Sequence, residues 1–279
     1  MTSTFTIGGD LEVRRVGFGA MRITGDGIWG PPKDPDECKR VLRRVVELGV
    51  NLIDTADSYG PEVSENLIAE ALHPYPEGLV IATKGGLRRT GPGQWPRDAH
   101  PDRLKECCEG SLRRLKLDRI DLYQLHAPDP KVPLEDSLGA LKELQDDGKI
   151  RHIGVSNVSV DELERSRALV DVVTVQNRYN LADRATEDTI EACAAAGIGF
   201  IPWFPLAVGD LARPGSPLDE LARTHDATPG QLAIAWLLAR SPVMLPIPGT
   251  ASVEHLEENV AAGELELAPQ EFELLAGAV

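Results

Sequence analysis

Short apolar, β-branched runs alternate with amphipathic stretches along the whole 279-residue chain. Eight runs carry the strand pattern: 16–19, 51–54, 79–83, 120–125, 153–155, 172–176, 199–203 and 243–247. They are too apolar to have one wet face, which suits strands buried on both sides. Between them, helical periodicity runs through 35–49, 64–72, 101–117, 134–148 and 228–241. Boundary signals support these helices, with Ser64 and Pro101 near starts and Gly49, Gly148 and Gly197 at ends.

A strand followed by a helix, repeated eight times, predicts an α/β fold of the (β/α)8 TIM barrel type, one domain spanning 1–279. A doubly wound open sheet is the alternative. It usually has fewer units per domain and, if it binds dinucleotides, a G-x-G-x-x-G turn. The chain has only Gly17-Phe18-Gly19, followed by Ala20-Met21-Arg22. The leading segment TFTIGGDLEVRRVG predicts a β-hairpin around Gly8-Gly9, lying across the bottom of the barrel. The Pro/Gly-rich stretches 25–35, 90–101 and 206–217 follow the first, third and seventh runs and are expected as long loops on the active face.

Composition narrows the function. Forty-four acidic against 29 basic residues give a net charge of −15, which repels nucleic acid and anionic membrane surfaces. Cys38, Cys107, Cys108 and Cys193 have neither metal-ligand nor redox spacing, so a reducing cytoplasm is expected. The N-terminus has no basic, apolar signal region, and the chain is expected to be soluble and unprocessed. The six histidines show no paired ligand spacing, which disfavours metal catalysis, and the sequence does not fix the assembly state.

In such a barrel the C-terminal strand ends converge on one face, so polar residues there are the first candidates for chemistry. Asp54 ends the second run, Tyr59 follows in its loop, Lys84 ends the third and His126 ends the fourth. An ammonium beside a phenol favours the phenolate and makes the proton easier to give, and a carboxylate keeps that ammonium charged. His126 would orient a carbonyl and stabilise the charge that develops on its oxygen. The four together predict an acid that protonates a carbonyl oxygen while something else attacks the carbon. Asp57 is expected to cap the loop leading to Tyr59.

These residues, in this order, resemble the aldo-keto reductase family. The likeness runs through GFGAMR (17–22), IDTADSYG (53–60), TKGG (83–86), YQLHAPD (123–129), IGVSN (153–157), VQNRYN (175–180), IPWFPL (201–206) and IPGT with HLEEN (247–259). It implies a barrel enzyme that reduces aldehydes or ketones with a nicotinamide cofactor, Tyr59 being the proton donor and Asp54, Lys84 and His126 its support. It further implies that Gly19, Ala20, Met21 and Asp54 border the cofactor and that Ser156, Asn157 and Gln176 bind its carboxamide. Trp203 would stack on the nicotinamide, with Phe204 beside it. Leu206, Gly209 and Leu211 match the loop over the pyrophosphate. Ile247, Gly249, Thr250, His255, Glu258 and Asn259 match the adenosine end, where backbone amides at the helix start suit a phosphate.

Gly249 and His255 stand where many NADPH-specific members place a lysine and an arginine, which weakens the charge argument for NADPH. NADPH is nevertheless the expected cofactor, with NADH as the alternative. Trp29 and Trp95 lie in active-face loops and are expected to stack on an aromatic aldehyde. GFGAMRITGDGIWGPPKD and YGPEVSENLIAEALHPY are similar to the branch containing bacterial pyridoxal reductases, which makes pyridoxal the first carbonyl to test. Two rival functions stay open: a nicotinamide-binding regulatory subunit without turnover, and a barrel aldolase using Lys84 as a Schiff-base nucleophile.

Overall fold

The computed structural model describes residues 3–206 and 214–277. The expected hairpin is present: β1 (Thr4–Ile7) pairs antiparallel with β2 (Leu11–Arg14). Gly8 and Gly9 turn it at φ +59° and +80°, conformations that disfavour any side chain. His152 closes over this turn, its Nε2 lying 2.7 Å from Asp10 Oδ1.

Seven parallel strands follow in chain order: β3 (Phe18–Gly19), β4 (Leu52–Asp54), β5 (Val80–Gly85), β6 (Ile120–Leu125), β7 (Ile150–Ser156), β8 (Val172–Gln176) and β9 (Gly199–Phe200). The eighth expected strand, 243–247, does not form a continuous ladder. Leu245 N donates to Phe200 O, Phe200 N donates to Val243 O, and Gly17 N donates to Pro246 O. The segment thus touches both edges of the curled sheet. Pro246 and Pro248 have no N–H to give, which prevents regular strand pairing there. Pro202 likewise stops β9 at Phe200, short of the run read from sequence.

Side chains alternate across a strand, so Leu52 and Asp54 share one face, as do Val80, Ala82 and Lys84, and Leu122 and Gln124. This is the inner face. Its lower part is apolar: Leu52, Val80, Ala82 and Leu122 pack with Ile7, Leu11 and Val13 of the hairpin, Val173, Ile201 and Leu245. Its upper part, one residue-pair further along each strand, is polar. Gly154 on β7 allows the polar layer to close, because a Cβ there would lie 2.3 Å from Thr174 Oγ1 and 2.8 Å from Gln124 Cγ.

Helices cover the outer face. They are α1 (Pro35–Glu47), α2 (Val63–Leu72), α3 (Pro101–Leu115), α4 (Leu134–Asp146), α5 (Val160–Arg167) and α6 (Glu187–Ala196), then α7 (Pro217–Thr224), α8 (Pro229–Arg240), α9 (Val253–Ala261) and α10 (Pro269–Ala276). Pro101 opens α3 as expected, and Gly197 ends α6 at φ +68°. Ser64 is not a cap. Glu62 holds that position, and Ser64 sits inside α2 with its Oγ donating to Ala20 O at 3.0 Å and 2.8 Å from Thr55 Oγ1. A side chain that ties a helix to two strand ends is better placed in the first turn than before it. None of the described helices is long and apolar enough to cross a membrane.

Candidate active site

The strand register brings the four sequence candidates together. Lys84 is fully buried, and its Nζ donates to Asp54 Oδ2 at 2.6 Å and to Thr55 O at 2.8 Å. The third contact of that ammonium is Tyr59 OH, 3.4 Å away. The imidazole of His126 meets the Tyr59 ring edge-on, centroids 5.9 Å apart, and its Nδ1 lies 3.4 Å from Ser58 Oγ.

Asp54 is more than a counter-ion. Its other oxygen accepts from Gln176 Nε2 at 2.8 Å and Gln124 Nε2 at 3.2 Å, so β4, β5, β6 and β8 are cross-linked through one carboxylate. Neither Gln124 nor Thr55 was singled out by motif. The signal for Gln124 was its place in a buried strand, two residues before His126, where an apolar residue would normally stand.

Burial and charge compete at each group. For Lys84 burial opposes the charged form, but Asp54 and Tyr59 outweigh it, and the ammonium is held above its ordinary range. For Tyr59 burial is the largest influence and raises the phenol, while Lys84 pulls it down by less. The expected influence of the ammonium is present, since Lys84 makes the proton easier to give, but desolvation by the pocket is larger and the phenol stays above its ordinary range. Burial and the neighbouring ammonium both hold His126 well below the usual histidine range, so the ring is neutral.

Asp57 does not cap its loop. Its backbone O accepts from Glu62 N at 2.7 Å, while its side chain is buried with Oδ1 lacking a partner among the described residues. Burial pushes this carboxyl up to about 7; a bond from Cys107 and the charges of Arg103 and Arg114 pull it down, while Glu65 adds to the rise. A folded-state value above the ordinary 3.8 means that the folded protein binds the proton more tightly than the unfolded chain. The contribution is complete below the unfolded value and is lost as pH rises through about 7. Replacing Asp57→Asn should therefore stabilise the protein at pH 8 by up to about 4 kcal/mol and by much less at pH 4. Urea denaturation at the two pH values measures this, and an equal effect at both would count against it.

Two connected hollows open above the four residues. A cleft of about 380 Å³ is lined by Gly19, Met21, Arg22, Asp54, Tyr59 and Gln176 with Trp203, Phe204, Pro205, Leu206, Ile247 and Gly249. A pocket of about 250 Å³ shares Met21, Tyr59, Gln176, Trp203 and Phe204 and adds Ile28, Leu87, Trp95, His126, Ser156 and Asn157. Trp95 is in this lining and Trp29 is not; Trp29 is 36% exposed and bridges to Gly60. Ala20 is fully buried beneath the cleft.

The polar rim fits a carboxamide. Gln176 Nε2 is spent on Asp54, which leaves its Oε1 as the acceptor for an amide. Asn157 Nδ2 donates to His126 O at 2.9 Å and Ser156 Oγ at 3.0 Å, and its Oδ1 accepts from Trp203 Nε1 at 3.2 Å. That amide is fully engaged inside the protein, which leaves the Ser156 hydroxyl as the donor on this side.

At the other end Thr250 and Asn259 are buried, and Thr250 Oγ1 accepts from Ser252 N at 3.0 Å. The amides that open α9 are partly taken: Ser252 Oγ accepts from His255 N, and Glu37 Oε1 accepts from Val253 N, both at 3.4 Å. Glu258 O accepts from Gln231 Nε2 at 3.0 Å. Gly209 and Leu211 lie outside the described residues.

A buried phenol, ammonium, carboxylate and neutral imidazole at neighbouring strand ends, below a cleft with amide-binding groups, define an oxidoreductase type of site rather than a metal or nucleophile site. The chain belongs to the aldo/keto reductase family, whose model matches residues 15–279. It is 53% identical over 264 residues to the uncharacterized oxidoreductase C215.11c of Schizosaccharomyces pombe, covering 95% of this chain and 86% of that protein. It is 43% identical over 283 residues to pyridoxine 4-dehydrogenase of Escherichia coli, covering 99% and 98%. An aldo/keto reductase from Klebsiella pneumoniae, solved in complex with NADP and acetate, superimposes with a TM-score of 0.85 at 28% identity, covering 99% of this chain and 94% of that one.

Proposed function

We propose that this protein reduces an aldehyde or ketone to the alcohol with NADPH, Tyr59 giving the proton, in a barrel whose eighth position is taken by 243–247. The observation that carries this is the buried Lys84 ammonium, shared between Asp54 at 2.6 Å and Tyr59 at 3.4 Å. A nicotinamide held in the cleft would supply the hydride that the carbonyl carbon needs. Tyr59 donates to the carbonyl oxygen, which is more basic as a nascent alkoxide than any phenolate, so a raised phenol still transfers its proton. Lys84 stabilises the phenolate left behind, and Asp54 keeps Lys84 charged. Ser58 Oγ lies 3.4 Å from His126 Nδ1; with the hydroxyl as donor in that pair, the neutral ring would carry its proton on Nε2 and hold the carbonyl oxygen beside Tyr59.

The nicotinamide would lie against Trp203 with its carboxamide at Ser156, Gln176 and the rim built by Asn157. Gly19 and Met21 would border it, Leu206, Gly209 and Leu211 would cross the pyrophosphate, and Thr250, His255, Glu258 and Asn259 would hold the adenosine end. Arg22, exposed beside Gly249 in the cleft lining, adds a cation for the phosphates that the motif comparison did not supply. The pocket walls Ile28, Leu87, Trp95 and Phe204 are apolar and suit a planar aromatic carbonyl. With a pyridoxine 4-dehydrogenase among the relatives, pyridoxal is the first candidate.

A carbonyl panel followed at the NADPH absorbance band, run with both cofactors, tests the reading. Pyridoxal and other aromatic aldehydes should turn over best, and kcat/KM should favour NADPH by at least about tenfold, or ~1.4 kcal/mol. Tight cofactor binding without turnover on any carbonyl would favour a regulatory role, and a borohydride-trapped adduct on Lys84 would favour an aldolase.

A further inference from the structure

Arg89 lies in the loop after β5, and nothing in the reaction scheme uses it. Its Nε donates to Gln94 O at 3.0 Å. Its Nη1 donates to Ile28 O at 2.7 Å and Ser58 O at 3.0 Å, and its Nη2 donates to Gly27 O at 3.0 Å and Gly91 O at 3.4 Å. The guanidinium has five N–H groups, and all five end on backbone carbonyls. No carboxylate lies within ion-pairing distance of it among the described residues. The charge is instead solvated by carbonyl dipoles and by the face of Trp95, whose ring centroid is 3.6 Å from the guanidinium carbon.

The carbonyls belong to three loops: Gly27 and Ile28 follow β3, Ser58 follows β4, and Gly91 and Gln94 follow β5. Each loop delivers a wall or a support to the reaction pocket. Ile28 lines it from a backbone at φ +56°, a costly conformation for a β-branched residue that needs an external restraint to persist. Ser58 is the partner of His126 Nδ1. Trp95 lines the pocket and meets Tyr59 edge-on, centroids 6.3 Å apart, and the guanidinium lies against the same indole.

We propose that Arg89 is a positioning residue that determines substrate specificity: a five-carbonyl clamp that fixes Ile28 and Trp95 as a preformed slot for a flat aromatic carbonyl. A lysine cannot replace it, because a point charge on a flexible stem reaches one or two carbonyls and does not stack in the same plane. The substrate part of this inference rests on the carbonyl-reductase reading, while the clamp itself does not.

The test compares Arg89→Ala and Arg89→Lys with the wild type in two measurements. In amide hydrogen exchange on the cofactor-free protein, Arg89→Ala should speed exchange in 25–30, 58–60 and 89–95 together; a change confined to 89–95, or none, overturns the clamp. In kinetics with saturating NADPH, KM for an aromatic aldehyde should rise roughly tenfold or more, a loss expected of a misplaced pocket wall. Turnover of a two-carbon aldehyde and the Kd for NADPH, read by quenching of protein fluorescence, should stay within about threefold. Equal losses for both aldehydes with weakened NADPH binding would mean general loosening and overturn the specificity role. Full recovery in Arg89→Lys would do the same, and that variant keeps the question open to decision should Arg89→Ala not fold. A wild type that reduces no carbonyl would sink the reductase reading, yet the exchange experiment would still decide the clamp.

Discussion

Tyr59→Phe is expected to bind NADPH as the parent does and to lose about 10²- to 10⁴-fold in kcat, the usual contribution of a positioned proton donor. The substitution removes one oxygen from a buried ring, and the ring still packs edge-on against Trp95 and His126. The oxygen's hydrogen-bond partner among the described residues is Lys84, at a long 3.4 Å, so little ground-state structure depends on it. Its value lies in the transition state, and a loss confined to kcat with Kd for the cofactor unchanged is the signature of that. Stopped-flow or steady-state measurement on the best aldehyde from the panel decides the matter. Native turnover in the phenylalanine variant would remove Tyr59 from the mechanism.

Lys84→Met should damage both activity and stability. Asp54 is 2% exposed, and without the ammonium it keeps only Gln124, Gln176 and the sheet around it. Breaking a buried pair by removing one partner costs about 3–5 kcal/mol, and the two amide donors should hold the loss near the lower figure. In a chain of this size that lowers Tm by very roughly 5–10 °C. Turnover should fall at least as far as in Tyr59→Phe, since the phenolate loses its stabilising charge. Adding Asp54→Asn to Lys84→Met should return part of the stability, because no unpaired carboxylate remains, without returning activity. Calorimetry on the three variants separates the two effects. Equal Tm values for Lys84→Met and the parent would show that the pair contributes nothing to the fold.

Much of this site could be read from residue order alone because a curled parallel sheet turns strand ends into neighbours. Asp54, Lys84 and His126 are far apart in sequence, but each lies at or beside the end of a strand, and parallel register makes those ends neighbours. The helices 35–49, 101–117 and 134–148 were legible for the same kind of reason, since their apolar stripe faces a buried sheet. Closure at 243–247 was not, because apolar composition marks burial and says nothing of the missing N–H groups at Pro246 and Pro248. The balance at Tyr59 was also hidden: proximity to a cation can be guessed from topology, but the depth of burial that outweighs it cannot. Arg89 escaped for a simpler reason. Its partners are carbonyl oxygens, which every residue has, and backbone acceptors leave no mark on a sequence.

The inner face carries packing low on each strand and chemistry high on it, with Leu52 beneath Asp54, Ala82 beneath Lys84 and Leu122 beneath Gln124. Foundation and tool edge are thus cut from the same few strands, a single step of the pleat apart. New substrates can be reached by reshaping the loops above without touching that keel, while a cavity opened in the keel would tilt the whole proton-donating group at once.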